Sequence, residues 1–104
     1  MAYTVDISKH LMDEPKFLKI GPGDENVLRI DDKKNTVLMI QQAMSEENLD
    51  KALRLGLGEE GFKKIEAMDL TMAAYENLVI GMLAAIQQEK FEVMMKRFRE
   101  ASGK

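Results

Sequence analysis

The hydrophobic period of the chain changes near residue 31, and that change constrains the fold more than any other feature. Before it the pattern is that of strands. The stretch "YTVDI" alternates Tyr3, Val5 and Ile7, a period of two. Two further apolar runs, "FLKI" at 17–20 and "VLRI" at 27–30, flank "GPGDEN" at 21–26, whose Gly, Pro, Asp and Asn favour turns. A hairpin follows, with Leu18 and Ile20 on one face, Leu28 and Ile30 meeting them, and Lys19 and Arg29 turned to water. Pro15 sits just before the first run, where it is tolerated. Residues 3–7 are a candidate third strand. A sheet this small needs helices to pack on.

After residue 31 the apolar positions recur at helical spacing. In "DDKKNTVLMIQQAM" the stripe is Val37, Ile40 and Met44, and Asp31, Asp32 or Asn35 can cap the start. Ser45 reads as the next N-cap, with Glu46 and Glu47 in the first turn and Leu49, Ala52, Leu53 and Leu57 inward. Lys51 lies four residues after Glu47, as Lys63 does after Glu59 and Lys64 after Glu60, the acid-first order that supports a helix. Phe62, Ile65 and Met68 form the next stripe, and Thr71 caps the longest helix, with Leu70 and Tyr75 spaced as a hydrophobic staple. On that helix Tyr75, Leu78, Val79, Met82, Leu83 and Ile86 share a broad face, while Ala74, Gly81, Ala84 and Ala85 make a strip of small side chains. A helix apolar nearly all round needs cover on both sides. The stripe breaks between Ile86 and Phe91, so a turn is expected within 87–90. Phe91, Met94, Met95 and Phe98 then line one side of a last helix, and "ASGK" should fray. The fold class is mostly α with a small N-terminal β-hairpin (α+β), a compact bundle of about four to five short helices. One domain is expected, with a hairpin region at 1–31, a helical region at 32–101 and a frayed tail at 102–104.

"LGLGEEGF", residues 55–62, matches the G-x-G-x-x-G spacing of dinucleotide sites. That fingerprint needs a preceding strand and a helix opening on the pyrophosphate. Here the preceding "NLDKALRL" reads as a helix, Glu59 and Glu60 would repel the phosphates, and Val79 to Met82 stand where an acidic ribose reader belongs. The glycines read instead as a joint: Gly56 ends one helix in a left-handed cap, Gly58 frees the turn and Gly61 lets the next helix lie close. His10 is the only histidine, too little for a zinc site or a nucleophilic triad. Asp31 and Asp32 lack the pattern of a calcium loop. No catalytic, cofactor or metal site is expected, and the chain is not expected to be an enzyme.

The net charge of −3, from 15 basic and 18 acidic residues, gives no general attraction to nucleic acid or anionic membranes. There is no cysteine, so disulfides are excluded. The N-terminus lacks the pattern of a signal peptide. The apolar run from Leu70 to Ile86 contains Glu76 and Asn77 and is slightly short for a bilayer. A soluble intracellular protein is the expectation. Nine methionines and no tryptophan suit a surface that adapts to a partner.

The segments "IDDKKNTVLMIQQAM", "LRLGLGEEGFKKIEAMDLTMAAYENLVIGMLAAIQ" and "KFEVMMKRF" resemble, in their order over about residues 15–100, the phage tail assembly chaperones of long-tailed phages and prophages of Gram-positive bacteria. One departure is Gln88, where the family often carries glycine. The resemblance implies a chaperone in viral morphogenesis that binds the phage tape measure protein, keeps its hydrophobic helices soluble and helps recruit tail tube protein. It also implies action in the host bacterial cytoplasm and absence from the mature virion. A homo-oligomer fits such a role. The residues expected at the protein-interaction surface are Leu78, Gly81, Met82, Ala85, Phe91, Met94, Met95 and Phe98. The alternatives are a structural head–tail or tail component, or a small helical DNA-binding regulator.

Overall fold

A computed structural model describes residues 2–11 and 13–101. The tail at 102–104 lies outside the described residues. Strands β1 (Lys16–Lys19) and β2 (Val27–Ile30) precede four α-helices, α1 (Lys34–Ser45), α2 (Leu49–Glu66), α3 (Met72–Gln87) and α4 (Phe91–Ala101). The strands pair antiparallel, with Leu18 opposite Leu28 and Phe17 opposite Arg29. Ile20 N–H donates to the Asn26 carbonyl at 2.8 Å, and Asn26 Nδ2 ties the turn to the Pro22 carbonyl at 2.6 Å. The sheet lies across the bundle, β1 over α3 and β2 over α2.

The third strand does not form. Residues 2–7 carry no regular structure, and Tyr3, Val5 and Ile7 are 92%, 62% and 53% exposed. Alternation makes a strand only where an edge accepts it, and here the chain curls into a 3-10 turn at Ser8–His10. The Asp6 carboxylate starts that turn by accepting from Ser8 N–H and Oγ at 3.0 and 2.7 Å.

Lys16 is buried at the root of β1, its ammonium donating to Asp13 at 2.7 Å, the Glu14 carbonyl at 2.9 Å and Asp32 at 3.1 Å. Buried charge is tolerated only with such partners. The hydrogen bond to Asp13 holds the Lys16 ammonium above its usual range, and Asp32 adds to it against the opposing effect of burial. Reciprocally, Lys16 holds Asp13 below the ordinary carboxylate range.

Asp31 supports the start of α1 from outside it, accepting from Lys33 N–H at 3.1 Å and Thr36 Oγ1 at 3.0 Å. Ser45 is not the N-cap of α2. It ends α1, with Oγ donating to the Gln42 carbonyl at 2.7 Å. Glu47 adopts a left-handed φ of 58°, so Glu47 N–H reaches the Met44 carbonyl and Asn48 N–H the Ala43 carbonyl. This paired closure of a helix end uses the residues after Ser45, and Asn48 becomes the cap by accepting from Lys51 N–H at 3.1 Å. Glu46 and Glu47 thus fall outside α2.

The expected joint forms at Gly58, where the turn is expected, but Gly56 does not end a helix in a left-handed cap. Gly56 stays helical and buried, while Gly58 breaks α2 with φ 76° and ψ 170°. That backbone region is close to glycine-only. Gly56 serves packing: a Cβ there would lie 2.1 Å from Met82 Sδ. Glu59 pairs with Arg54 at 3.8 Å, and Lys64 Nζ donates to the Glu25 carbonyl. Met68 is 42% exposed because α2 ends at Glu66, before Met68 can turn inward.

Thr71 caps α3 as expected, accepting from Ala74 N–H at 3.2 Å. The main core joins Ile30, Ile40, Leu53, Phe62, Ile65, Val79 and Met82. A second cluster joins Ile80 and Ala84 of α3 to Met94 of α4. The turn expected at 87–90 is present, with Gln88 left-handed at φ 56°. No helix among the described residues is long and apolar enough to cross a membrane.

Candidate protein-binding groove

Three elements build the groove. The small residues of α3 form its floor, with Ala74, Leu78, Gly81 and Ala85 along one side of the helix. Leu18 and Ile20 of the hairpin make one wall, Phe91 at the start of α4 the other, and Met68 and Leu70 close one end. The volume is about 600 Å³. Lys19 and Glu89 supply the charge at its rim.

Gly81 sets the spacing of the walls. A Cβ at that position would stand 3.1 Å from Leu18 Cδ1 and 3.8 Å from Phe91 Cδ1. The small strip of α3 is therefore partly used inside the molecule, by the hairpin, and partly left open. A glycine or alanine floor lets another backbone approach closely.

The eight expected interaction residues do not form one surface. Leu78, Gly81, Ala85 and Phe91 come together in this groove. Met95 and Phe98 line a separate depression of about 590 Å³ on another side of α3, with Met44, Leu49 and Met72. Met82 and Met94 do not reach the surface: they are 0% and 3% exposed. Met82 fills the space that Gly56 leaves at the α2–α3 crossing, and Met94 is the buried contact of α4 with α3. Their apolar character serves the core, which corrects their placement at the interaction surface.

Leu18, Ile20, Met68 and Leu70 belong to the groove and were absent from the sequence expectation. The only available signal for Leu18 and Ile20 was the apolar face of the hairpin, which does not say which helix it meets.

"LGLGEEGF" lies within α2, so a helix stands where the dinucleotide fingerprint requires a strand. His10 lies exposed in the 3-10 turn. Among the described residues, no group of three or more His, Asp or Glu could hold a metal ion. No buried side-chain nitrogen or oxygen among them lacks a hydrogen-bond partner. Among the described residues, Tyr75 is the group most displaced in acidity, pushed up to about 12, chiefly by donating a hydrogen bond to Glu66. That pair joins the end of α2 to the start of α3.

Comparison of the chain with protein-family models, with curated proteins and with solved structures finds no match in any of the three.

Proposed function

We propose that the protein is a phage tail assembly chaperone whose groove binds helices of the tape measure protein and holds them soluble until tail tube subunits arrive. The observation that supports this reading best is the apolar trough over Ala74, Gly81 and Ala85, open between β1 and α4. An amphipathic helix laid in an apolar groove is a recurrent mode of recognition. Small residues on the floor permit close contact, and Met68 at one end adds an adaptable side chain. The resemblance of the helical segments to the chaperone family supplies the identity of the client.

Co-expression tests the reading. The tape measure protein of the same phage should be insoluble alone, soluble with this chain, and recovered with it on purification. Mass spectrometry of finished particles should then find tape measure and tube protein but not this chain. An equally insoluble tape measure protein in both cultures, or stoichiometric amounts of this chain in virions, contradicts the proposal.

A further inference from the structure

Residues 2–11 form an arm outside the bundle. Every described residue in that stretch is exposed. The arm keeps the alternation of a strand, with Tyr3, Val5 and Ile7 in one phase and Thr4 and Asp6 in the other. The molecule measures 62 Å in its longest dimension, and its radius of gyration is 15.9 Å. A compact chain of this length gives about 13 Å.

The same chain carries an unfilled edge. The sheet has two strands, so β1 has one free side, and that side lies beside the groove over α3. Ile20 is hydrogen-bonded to Asn26 across the hairpin. Antiparallel alternation then turns the backbone N–H and C=O of Phe17 and Lys19 toward the free edge. Such an edge is a template for another strand.

We propose that the arm of a second copy pairs with this edge of β1, reciprocally, so that two chains exchange arms. With Tyr3, Val5 and Ile7 facing inward they pack on Leu18 and Ile20 at the hairpin wall of the groove, a cover that a client helix has to displace. Period two then puts Asp6 on the outer face, the face of Lys19, which has no ion-pair partner among the described residues. Each copy supplies one apolar arm with one acid and one apolar edge with one base, so the surface is complementary to itself and the exchange closes as a dimer. Along the chain the Ser8–His10 turn stands between the alternating stretch and β1. This assembly does not depend on the identity of the client.

Sedimentation and cross-linking test it. The full chain should sediment as a dimer at micromolar concentration, and Val5→Asp/Ile7→Asp should sediment as a monomer with unchanged helical circular dichroism. The chain has no native cysteine, so Asp6→Cys/Lys19→Cys can be treated with a flexible bis-maleimide. Arm exchange gives a covalent dimer. A cross-linked monomer would mean that the arm folds onto its own chain and would overturn the proposal. A wild-type monomer, or a dimer that survives the Val5/Ile7 changes, would overturn it equally.

Discussion

At the scale of single residues, backbone strain lies at the helix ends rather than in the glycines. Glu47, Asp69 and Gln88 hold φ of 58°, 50° and 56° after α1, α2 and α3. A left-handed conformation costs an L-residue roughly 1–2 kcal/mol, and glycine is largely exempt. Asp tolerates the region better than Glu or Gln. Glu47→Gly and Gln88→Gly should therefore each stabilise the fold by about 1 kcal/mol, raising the thermal midpoint by roughly 4–8 °C. Differential scanning calorimetry checks this, and a lowered midpoint would show that side-chain contacts outweigh the backbone term. The sequence shows the turn at 87–90 as a broken stripe, but no rule marks a glutamine as left-handed. Gly58 differs: the turn there is legible in "LGLGEEGF", whereas it is not legible that Gly56 stays helical and leaves room for Met82.

Tyr75 offers a second test at this scale. Its neutral phenol donates to Glu66, and its pKa moves from 10.0 to about 12. The stabilisation is present in full below pH 10.0 and is lost as pH rises through about 12. The difference in ultraviolet phenolate absorbance between the wild type and Tyr75→Phe isolates this group. Its titration should fall to lower pH in Glu66→Gln, and an unmoved titration would mean the pair does not form in solution.

At the scale of elements, the helices are set by stripes that survive tertiary packing. Ile40, Leu53, Phe62, Ile65 and Val79 are all buried as their spacing requires. The α2–α3 crossing rests on a size match that spacing does not reveal, since Gly56 leaves room for Met82. Gly56→Ala should cost about 1–3 kcal/mol by overpacking, and Met82→Ala about 2–5 kcal/mol by leaving a cavity. The double variant should lose clearly less than the sum, because each change relieves the other. Urea unfolding measures all three, and strict additivity would mean that the two sites do not touch. The N-terminal stretch taught the opposite lesson. Its alternation records a capacity to pair, but pairing needs an edge, and no local pattern supplies one.

At the scale of the whole molecule, the groove depends on contacts between distant parts of the chain. Leu18 and Gly81 are far apart in sequence, yet their approach fixes the distance between the hairpin and α4. Half of the expected interaction residues gather there because small residues on an otherwise apolar helix are visible in the sequence. The hairpin wall was not visible, because strand alternation names a face without naming its partner. The division of Met95 and Phe98 into a second depression follows from α4 crossing α3 on another side.

The central claim is that the trough over α3 receives a client helix. Ala85 is half-buried on its floor, so Ala85→Glu places a charge in the groove while the buried core residues stay in place. Titration calorimetry of a purified tape measure fragment against wild type and Ala85→Glu tests the claim directly. The account predicts at least a tenfold weaker affinity, about 1.4 kcal/mol, with helical circular dichroism and thermal midpoint near those of the wild type. Undiminished binding by a folded Ala85→Glu variant would contradict it.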